Sequence, residues 1–569
     1  MDSDFSNNRK YAYLFLLLLI VIPSLFSGLS GYELLLPDEP REAEIAREMW
    51  VSGDFAVPRL NGEAFLEKPP LYYWTVAAVY KIAGRADAFL SRLPSAFFGL
   101  GTILFVYALS AMMFDRKTGL AAALISCTTH EFQKMSHNCM IDISLAFFVM
   151  GTVYFFAAGY IYGRQKILNL SLMYAMAGLS FLSKGFIGVV IPGVVIFLFF
   201  LFEKNLKGGI VDIKIWFGVI IFLIITSPWF YLLWQAGGTK YFKIFFIDNH
   251  WGRFAEASLG HREGFFFYFS KIFEVLFPWS ILLPLLIFDI FLNRKTSLTE
   301  KSREILFVKI FAFAPFILLS FSASKRNVYL LPVIPAFAIL TALLLEKEFL
   351  QKTASWGAGI FGRLLTATAL LCMVLAMVGW VWASGTANIS FLITVILSII
   401  AAAGVIVFSL RNEFQKLFVA VAICTVIMFY AFSNFELEKG EKNKNYRGIA
   451  DIIRERVPDM EHFRAYDLAE HERSIAFYLN RTFPEDMKWE EVKHHLLSDK
   501  NIIYILNDDK LEDIYRKLPA GVEIKRIGRV DKNTLFLLYL REFHEQGTGK
   551  ESEKPEDINI SAVSVKKVG

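Results

Sequence analysis

The chain has 569 residues, 55% of them hydrophobic and only 20% charged, with 56 phenylalanines and a formal net charge of +5. Soluble domains average about 45–50% apolar and about 25% charged, so this composition, with a mean hydropathy of +0.45, excludes an ordinary soluble domain. It predicts a chain that crosses a membrane many times, with the bilayer as its surroundings and no nucleic-acid partner.

MDSDFSNNRK leads into an apolar run of about 20 residues, longer than the ~7–15 of a signal-peptide core and without an evident small-x-small cleavage site. It reads as a retained first helix. A membrane helix needs about 20 predominantly apolar residues. Candidate spans follow at 11–30, 91–114, 118–135, 140–162, 168–183, 185–203, 212–235, 268–292, 305–322, 326–346, 357–384, 388–410 and 414–434. The run Leu71–Gly84 is short and interrupted by Lys81, which suits a helix lying flat in the interface. The expected fold is therefore mainly α: a polytopic transmembrane helical bundle of about 13 spans, with a C-terminal soluble α/β domain.

Placing Arg9 and Lys10 in the cytoplasm makes every cytoplasmic loop basic, from Arg116-Lys117 and Arg164-Lys166 to Arg411–Lys416. Counting 71–84 as a span would turn the later basic loops outward. The same topology puts the 37–74 loop, His137–Asp142, Lys184-Gly185, the 239–266 loop and Lys325-Arg326 on the external face. The domain reading is 1–435 for the transmembrane part, with 37–84 as its external loop and interfacial helices. Residues 436–545 form an external α/β domain with strands near 463–466, 502–506, 522–527 and 534–540, and 546–569 is a disordered tail. The four cysteines lie in or beside apolar segments and read as small buried hydrophobes. The chain shows no phosphate-cradling glycine loop, no HExxH and no GxSxG.

The candidate chemistry sits at the external rim. Asp38 and Glu39 come just after the first span, where carboxylates are costly unless they pair or do work. They read as a base or as groups stabilising positive charge on a sugar; for Asp38 a helix N-cap is the structural alternative. Arg41 falls one turn on from Asp38 and can pair with it. In Glu67-Lys68-Pro69-Pro70 the prolines stiffen the chain and fix where Lys68 points, toward a lipid phosphate or, alternatively, snorkelling at the interface. Asp142 and Lys184 open and close apolar runs, and Asp142 has the same helix-capping alternative. The 239–266 loop offers His250, Arg253 and His261; a histidine there joins Glu67 as a candidate site for zinc or another divalent cation, and Arg253 suits a phosphate clamp. Lys325 and Arg326 stand externally, against the positive-inside trend, which favours a functional charge.

The string DExRxAEIAREM…GDFxVPRLNG…FxEKPPLYYW over residues 32–75 resembles the first external loop of the bacterial lipid A aminoarabinose transferases. These belong with the protein O-mannosyltransferase relatives in the GT-C class. The resemblance continues in Asp142, Ser183-Lys184-Gly185, Arg253-Phe254 and Ser324-Lys325 before Tyr329-Leu330-Leu331-Pro332. It implies Asp38 and Asp142 as essential acids, and Lys68 and Arg253 on the phosphate of undecaprenyl phosphate. It also implies Glu67 with His250, or else His261, at a metal. The sequence departs from the pattern at Glu42, where the lipid A enzymes commonly carry tyrosine, and in reading KPPL rather than KPIA. The implied enzyme is a monomeric glycosyltransferase of the bacterial inner membrane. It moves 4-amino-4-deoxy-L-arabinose or a related sugar from undecaprenyl phosphate to lipid A with inversion, on the periplasmic side and with no nucleotide. The competing readings are a transferase acting on protein hydroxyls or another glycan, and a membrane transporter, which would carry charges at mid-helix rather than at one rim.

Overall fold

The computed structural model describes residues 2–35, 37–251, 263–291, 302–350, 356–384, 389–411, 413–443 and 446–456. Shorter runs follow at 463–465, 471–482, 503–507, 522–530 and 533–540, with single positions 492 and 494. They divide into two units: 1–446 together with 473–482, and the remainder of the C-terminal part.

Among its described residues the first unit has helices and one small hairpin. Helix α1 (Asp2–Phe26) leads to α2 (Asp38–Ser52), the strands β1 (Arg59–Leu60) and β2 (Glu63–Ala64), and α3 (Leu71–Ala83). The bundle continues through α4 (Ala88–Met113), α5 (Arg116–Cys127), α6 (His130–His137), α7 (Ile141–Phe156), α8 (Lys166–Lys184), α9 (Ile187–Phe202), α10 (Leu206–Asp212) and α11 (Ile215–Lys243). After a wider-wound turn at Ile244–Trp251 come α12 (Phe267–Val275), α13 (Leu283–Phe291), α14 (Ser302–Ser320), α15 (Ile334–Leu350), α16 (Trp356–Ser384), α17 (Ile389–Leu410) and α18 (Phe414–Asn443).

Among the described residues five helices are long and apolar enough to cross a membrane, or six if the bent pair Phe267–Val275 and Trp279–Ile290 counts as one. Five shorter apolar helices accompany them. Two spans expected from the sequence are not continuous rods. The run 118–135 breaks between α5 and α6, where the Thr128 and Thr129 hydroxyls turn back onto the Leu124 and Ser126 carbonyls. The run 268–292 bends by 119°. Hydropathy counts apolar residues and does not register a bend, so both read as single spans.

Helix α2 reads as polar, yet 11 of its 15 residues are buried. Buried charge is tolerated only when paired, and the pairing is extensive. Arg47 grips Glu44 with two bonds, 2.5 and 2.7 Å long, and donates to Asn480 Oδ1 at 3.0 Å. Glu48 accepts from the amides of Asn61 and Gly62 at 2.6 and 2.9 Å, clipping the tip of the β1–β2 hairpin to α2. Helix α2 ends at Gly53, whose φ of 71° is open to glycine without strain, and its amide caps the Met49 carbonyl. Helix α3, expected to lie in the interface, forms over 13 residues and packs Tyr72, Tyr73, Val76 and Tyr80 against Ala43, Ala46 and Met49 of α2. Residues 473–482 belong to this unit and extend that core with Phe477.

The second unit holds α19 (Tyr446–Arg456), all but its first residue, and a four-stranded sheet. The strands are β3 (Phe463–Ala465), β4 (Ile503–Asn507), β5 (Val522–Val530) and β6 (Asn533–Leu540), in the order β3-β4-β6-β5. β3 and β4 are parallel and the other pairs antiparallel, with a register shift between Arg526 and Gly528. The residues expected to form a disordered tail, 546–569, lie outside the described residues. All four cysteines are buried and free.

Candidate active site

Two anchors fix the loop between α1 and α2. Arg92, in the first turns of α4, is wholly buried and donates to Glu39 through Nε and a terminal nitrogen at 2.9 and 2.8 Å. It also donates to the carbonyls of Leu29, Tyr32 and Glu33 at 2.9–3.0 Å, with its guanidinium 3.7 Å from the Tyr32 ring centroid. Glu39 accepts further bonds from the amides of Leu35 (2.8 Å) and Cys139 (2.6 Å). Four donors thus occupy both oxygens of Glu39. Glu39, read from the sequence as a candidate catalytic acid, ties α2 to α4 and to the start of α7 through these bonds.

With the loop so held, the first turn of α2 lines up a row of alternating charges. Asp38 accepts from Arg326 at 2.5 Å and pairs with Arg41 at 2.9 Å; Arg41 donates to Glu42 at 2.6 Å, and Lys68 donates to the same Glu42 oxygen at 3.0 Å. Asp142, in the first turn of α7, pairs with Lys184 at the end of α8, and Lys184 stands 4.5 Å from the Tyr329 ring centroid. The Tyr329 amide bonds the Arg326 carbonyl at 3.0 Å, which joins the two groups at residues 326–329. Asp38 and Asp142 are not helix caps: the capping positions are Pro37 and Met140, and neither aspartate bonds a helix amide.

Four cations face three acids here, and the two signs differ in depth. The acid side chains of Asp38, Glu42 and Asp142 are 12%, 0% and 5% exposed, whereas Lys184, Arg41, Lys68 and Arg326 are 14%, 17%, 18% and 50% exposed. The cations therefore form the outer layer and the carboxylates the backing. Such a layer suits an anionic ligand, because each guanidinium or ammonium keeps donors that its partner does not use. Burial would raise the carboxyl of Glu42, but Lys68 and Arg41 pull it down to about 2. Burial likewise opposes ionisation of Asp38, and Arg326 and Arg41 outweigh it, holding its carboxyl below the usual value. Both folded-state values lie under the unfolded ones, so their stabilisation is present above about pH 4.5 and is lost as the pH falls toward 2. Thermal unfolding of the detergent-purified protein is expected to hold steady from pH 8 to 5 and to drop progressively below 4.5.

Lys325, expected from the sequence as a substrate contact, is engaged by the backbone of the turn before Arg326. Its ammonium donates to the carbonyls of Glu263 (2.8 Å) and Ser322 (2.5 Å), and the residue is 5% exposed, so it braces the turn that presents Arg326. Arg253 and His261 lie outside the described residues, and of His250 only the backbone is described. Asn249 donates to the Leu66 carbonyl at 3.2 Å, which brings the segment carrying His250 beside the one carrying Glu67. Among the described residues no three His, Cys, Asp or Glu groups converge to hold a metal, so the described donors do not make a zinc site. Arg92 escaped the sequence reading, although an arginine inside an apolar span was itself the signal. Glu42 was seen only as a departure from a pattern. It proves to be the acid shared by Arg41 and Lys68.

Residues 67–234 match the family described as dolichyl-phosphate-mannose-protein mannosyltransferase. The chain is 28% identical, over 82% of its length and 87% of the relative's, to an uncharacterized protein of Aquifex aeolicus. It is 28% identical to the undecaprenyl phosphate-alpha-4-amino-4-deoxy-L-arabinose arabinosyl transferase of Pectobacterium atrosepticum over 59% of this chain, and it spans about three-fifths (61%) of that relative. The corresponding enzyme of Serratia proteamaculans is 27% identical over 71% of this chain and 72% of its own. Among solved structures, ArnT from Cupriavidus metallidurans bound to undecaprenyl phosphate superposes with a TM-score of 0.74 at 21% identity, covering 92% of this chain and 98% of that one. An Archaeoglobus fulgidus oligosaccharyltransferase shares the fold more distantly, with a TM-score of 0.54 at 14% identity over 89% of this chain and 71% of its own. The chain therefore shares its fold with ArnT and is similar in sequence to the arabinosyl transferases and, over residues 67–234, to the protein mannosyltransferase family, in line with the resemblance of the loop motif.

Proposed function

We propose that the protein transfers 4-amino-4-deoxy-L-arabinose, or a related sugar, from undecaprenyl phosphate to a phosphate of lipid A. The transfer takes place at the periplasmic face of a bacterial inner membrane, with the N-terminus cytoplasmic and the C-terminal unit periplasmic. The observation that carries this reading is the layered cluster of Arg41, Lys68, Lys184 and Arg326 in front of Asp38, Glu42 and Asp142. The names of the arabinosyl transferase relatives supply the sugar and its lipid carrier.

In this scheme the bond from the anomeric carbon to the carrier's phosphate oxygen breaks, and its electron pair leaves on undecaprenyl phosphate. Lys68, Arg41 and Arg326 meet that charge, with Arg253 as a further phosphate ligand. A phosphate oxygen of the acceptor bonds the same carbon from the opposite face, inverting it. Asp38 and Asp142 stabilise the positive charge that develops on the sugar ring. An acceptor phosphate is already ionised and needs no base. This fits Asp38, whose carboxyl is held below its usual value by Arg326 and Arg41 and is correspondingly weak as a base. A metal at Glu67 with His250 or His261 would supply Lewis-acid polarisation, and no step above depends on it.

A hydroxyl of protein or another glycan as acceptor is the second reading, favoured by the match of residues 67–234 to the mannosyltransferase family. Mass spectrometry of lipid A decides between them. A strain lacking the gene is expected to lose a pentosamine-sized adduct that the restored gene returns. An unchanged spectrum would turn the assignment to a hydroxyl acceptor.

A further inference from the structure

Helix α4, 26 residues and so about 39 Å long, carries Arg92 at the site end and reaches the far end of the bundle near Phe114. At that far end a pocket of about 510 Å³ opens between α1, α5, α15, α17 and α18. Its lining is mainly apolar, including Leu16, Leu120, Ala342, Phe418 and Ile423, and its charged residues sit at helix ends. Lys117 and Thr118 start α5, Glu346 lies near the end of α15, and Gln415 and Lys416 start α18. From Lys416 to Ile423 the pocket descends seven residues, about 10 Å along the helix.

The charges at the mouth form two lobes. Glu346 and Asp115 both lie within hydrogen-bond reach of the Thr118 hydroxyl, Asp115 at 3.0 Å, and Asp115 also caps α5 by accepting the amides of Lys117 and Thr118 at 2.7 and 3.1 Å, which makes an acidic lobe. Lys117 and Lys416 make the positive lobe. Lys416 also pairs with Glu413 at 2.8 Å, but its side chain is 63% exposed, and such surface pairs yield readily to another anion. An apolar slot with an acidic and a basic lobe at its rim matches one lipid chemistry: an acyl chain below, with a phosphate and a hydrogen-bonding ammonium side by side above. We infer that this pocket is a binding site for a phosphatidylethanolamine-type phospholipid, its phosphate on Lys117 and Lys416 and its ammonium on Glu346. A choline headgroup carries the same charge but has no N–H to donate, and a glycerol headgroup lacks the cation altogether. Selectivity among the three therefore reads out the acidic lobe. The site is remote from the charged cluster and does not depend on the transfer reaction.

The full-length protein, purified in mild detergent and mixed with equal amounts of dioleoyl phosphatidylethanolamine, phosphatidylcholine and phosphatidylglycerol, is to be examined by native mass spectrometry. Wild type is expected to retain one phosphatidylethanolamine with a preference of about tenfold over either competitor. Glu346→Gln should equalise phosphatidylethanolamine and phosphatidylcholine, and Lys117→Ala with Lys416→Ala should weaken all three. Ile423→Trp, which fills the apolar slot without touching the rim, should abolish retention with the thermal unfolding temperature unchanged. Equal retention of the three lipids by wild type overturns the assignment, as does undiminished phosphatidylethanolamine preference in both Glu346→Gln and Ile423→Trp.

Discussion

Replacing Arg92 with leucine is expected to cost about 3–5 kcal/mol of stability, the range for removing one partner of a buried ion pair. The substitution strands Glu39 where only 1% of the residue meets solvent and leaves the carbonyls of Leu29, Tyr32 and Glu33 without their shared donor. Thermal unfolding in detergent measures the loss. The double variant Arg92→Leu/Glu39→Leu should regain part of it, because an apolar pair of similar volume carries no stranded charge. A single variant that melts like wild type would show that the loop is held by something else. Transfer activity should fall with the fold, since Glu39 is immediately followed by the turn that carries Arg41 and Glu42.

Local spacing proved a good guide to local pairs. The Asp38–Arg41 contact read from a one-turn separation is present at 2.9 Å, and α3 forms where a short helix interrupted by Lys81 was expected. Spacing was silent about partners distant in sequence. Asp38 meets Arg326 across 288 residues and Arg92 meets Glu39 across 53, and no periodicity connects them. This is why Glu39 and Asp38, adjacent in sequence, read as one acidic pair although they point to different neighbours. Asp38 faces the cations of the cluster, whereas Glu39 faces into the bundle. The N-cap alternative failed for a related reason. An acid in the first turn of a helix can cap it or serve a partner arriving from elsewhere, and at both Asp38 and Asp142 the arriving cation won. Lys325 adds a contact that the positive-inside trend does not reveal: its ammonium closes a turn through two backbone carbonyls.

Lys68→Ala is expected to lower the rate of transfer by about 10²–10³, the typical effect of deleting one preorganised group that meets developing charge. The fold should survive, because Glu42 keeps its 2.6 Å bond from Arg41 and therefore remains paired after the lysine is gone. That separates Lys68 from Arg92, whose loss would remove activity and stability together. Assays with a polyprenyl-phosphate aminoarabinose donor and lipid A should show the loss mainly in kcat, since the leaving phosphate gains charge only as the bond breaks. A loss confined to KM would make Lys68 a ground-state contact only. The companion variant Asp38→Asn tests the other half of the cluster. If Asp38 stabilises ring charge rather than taking a proton, the wild-type rate stays level from pH 8 down to about 5, because Arg326 and Arg41 keep the carboxylate ionised there. The amide variant would then be slow at every pH, with an unchanged profile. A rate that instead climbs with pH through the neutral range, and flattens in Asp38→Asn, would make Asp38 a base and favour a hydroxyl acceptor.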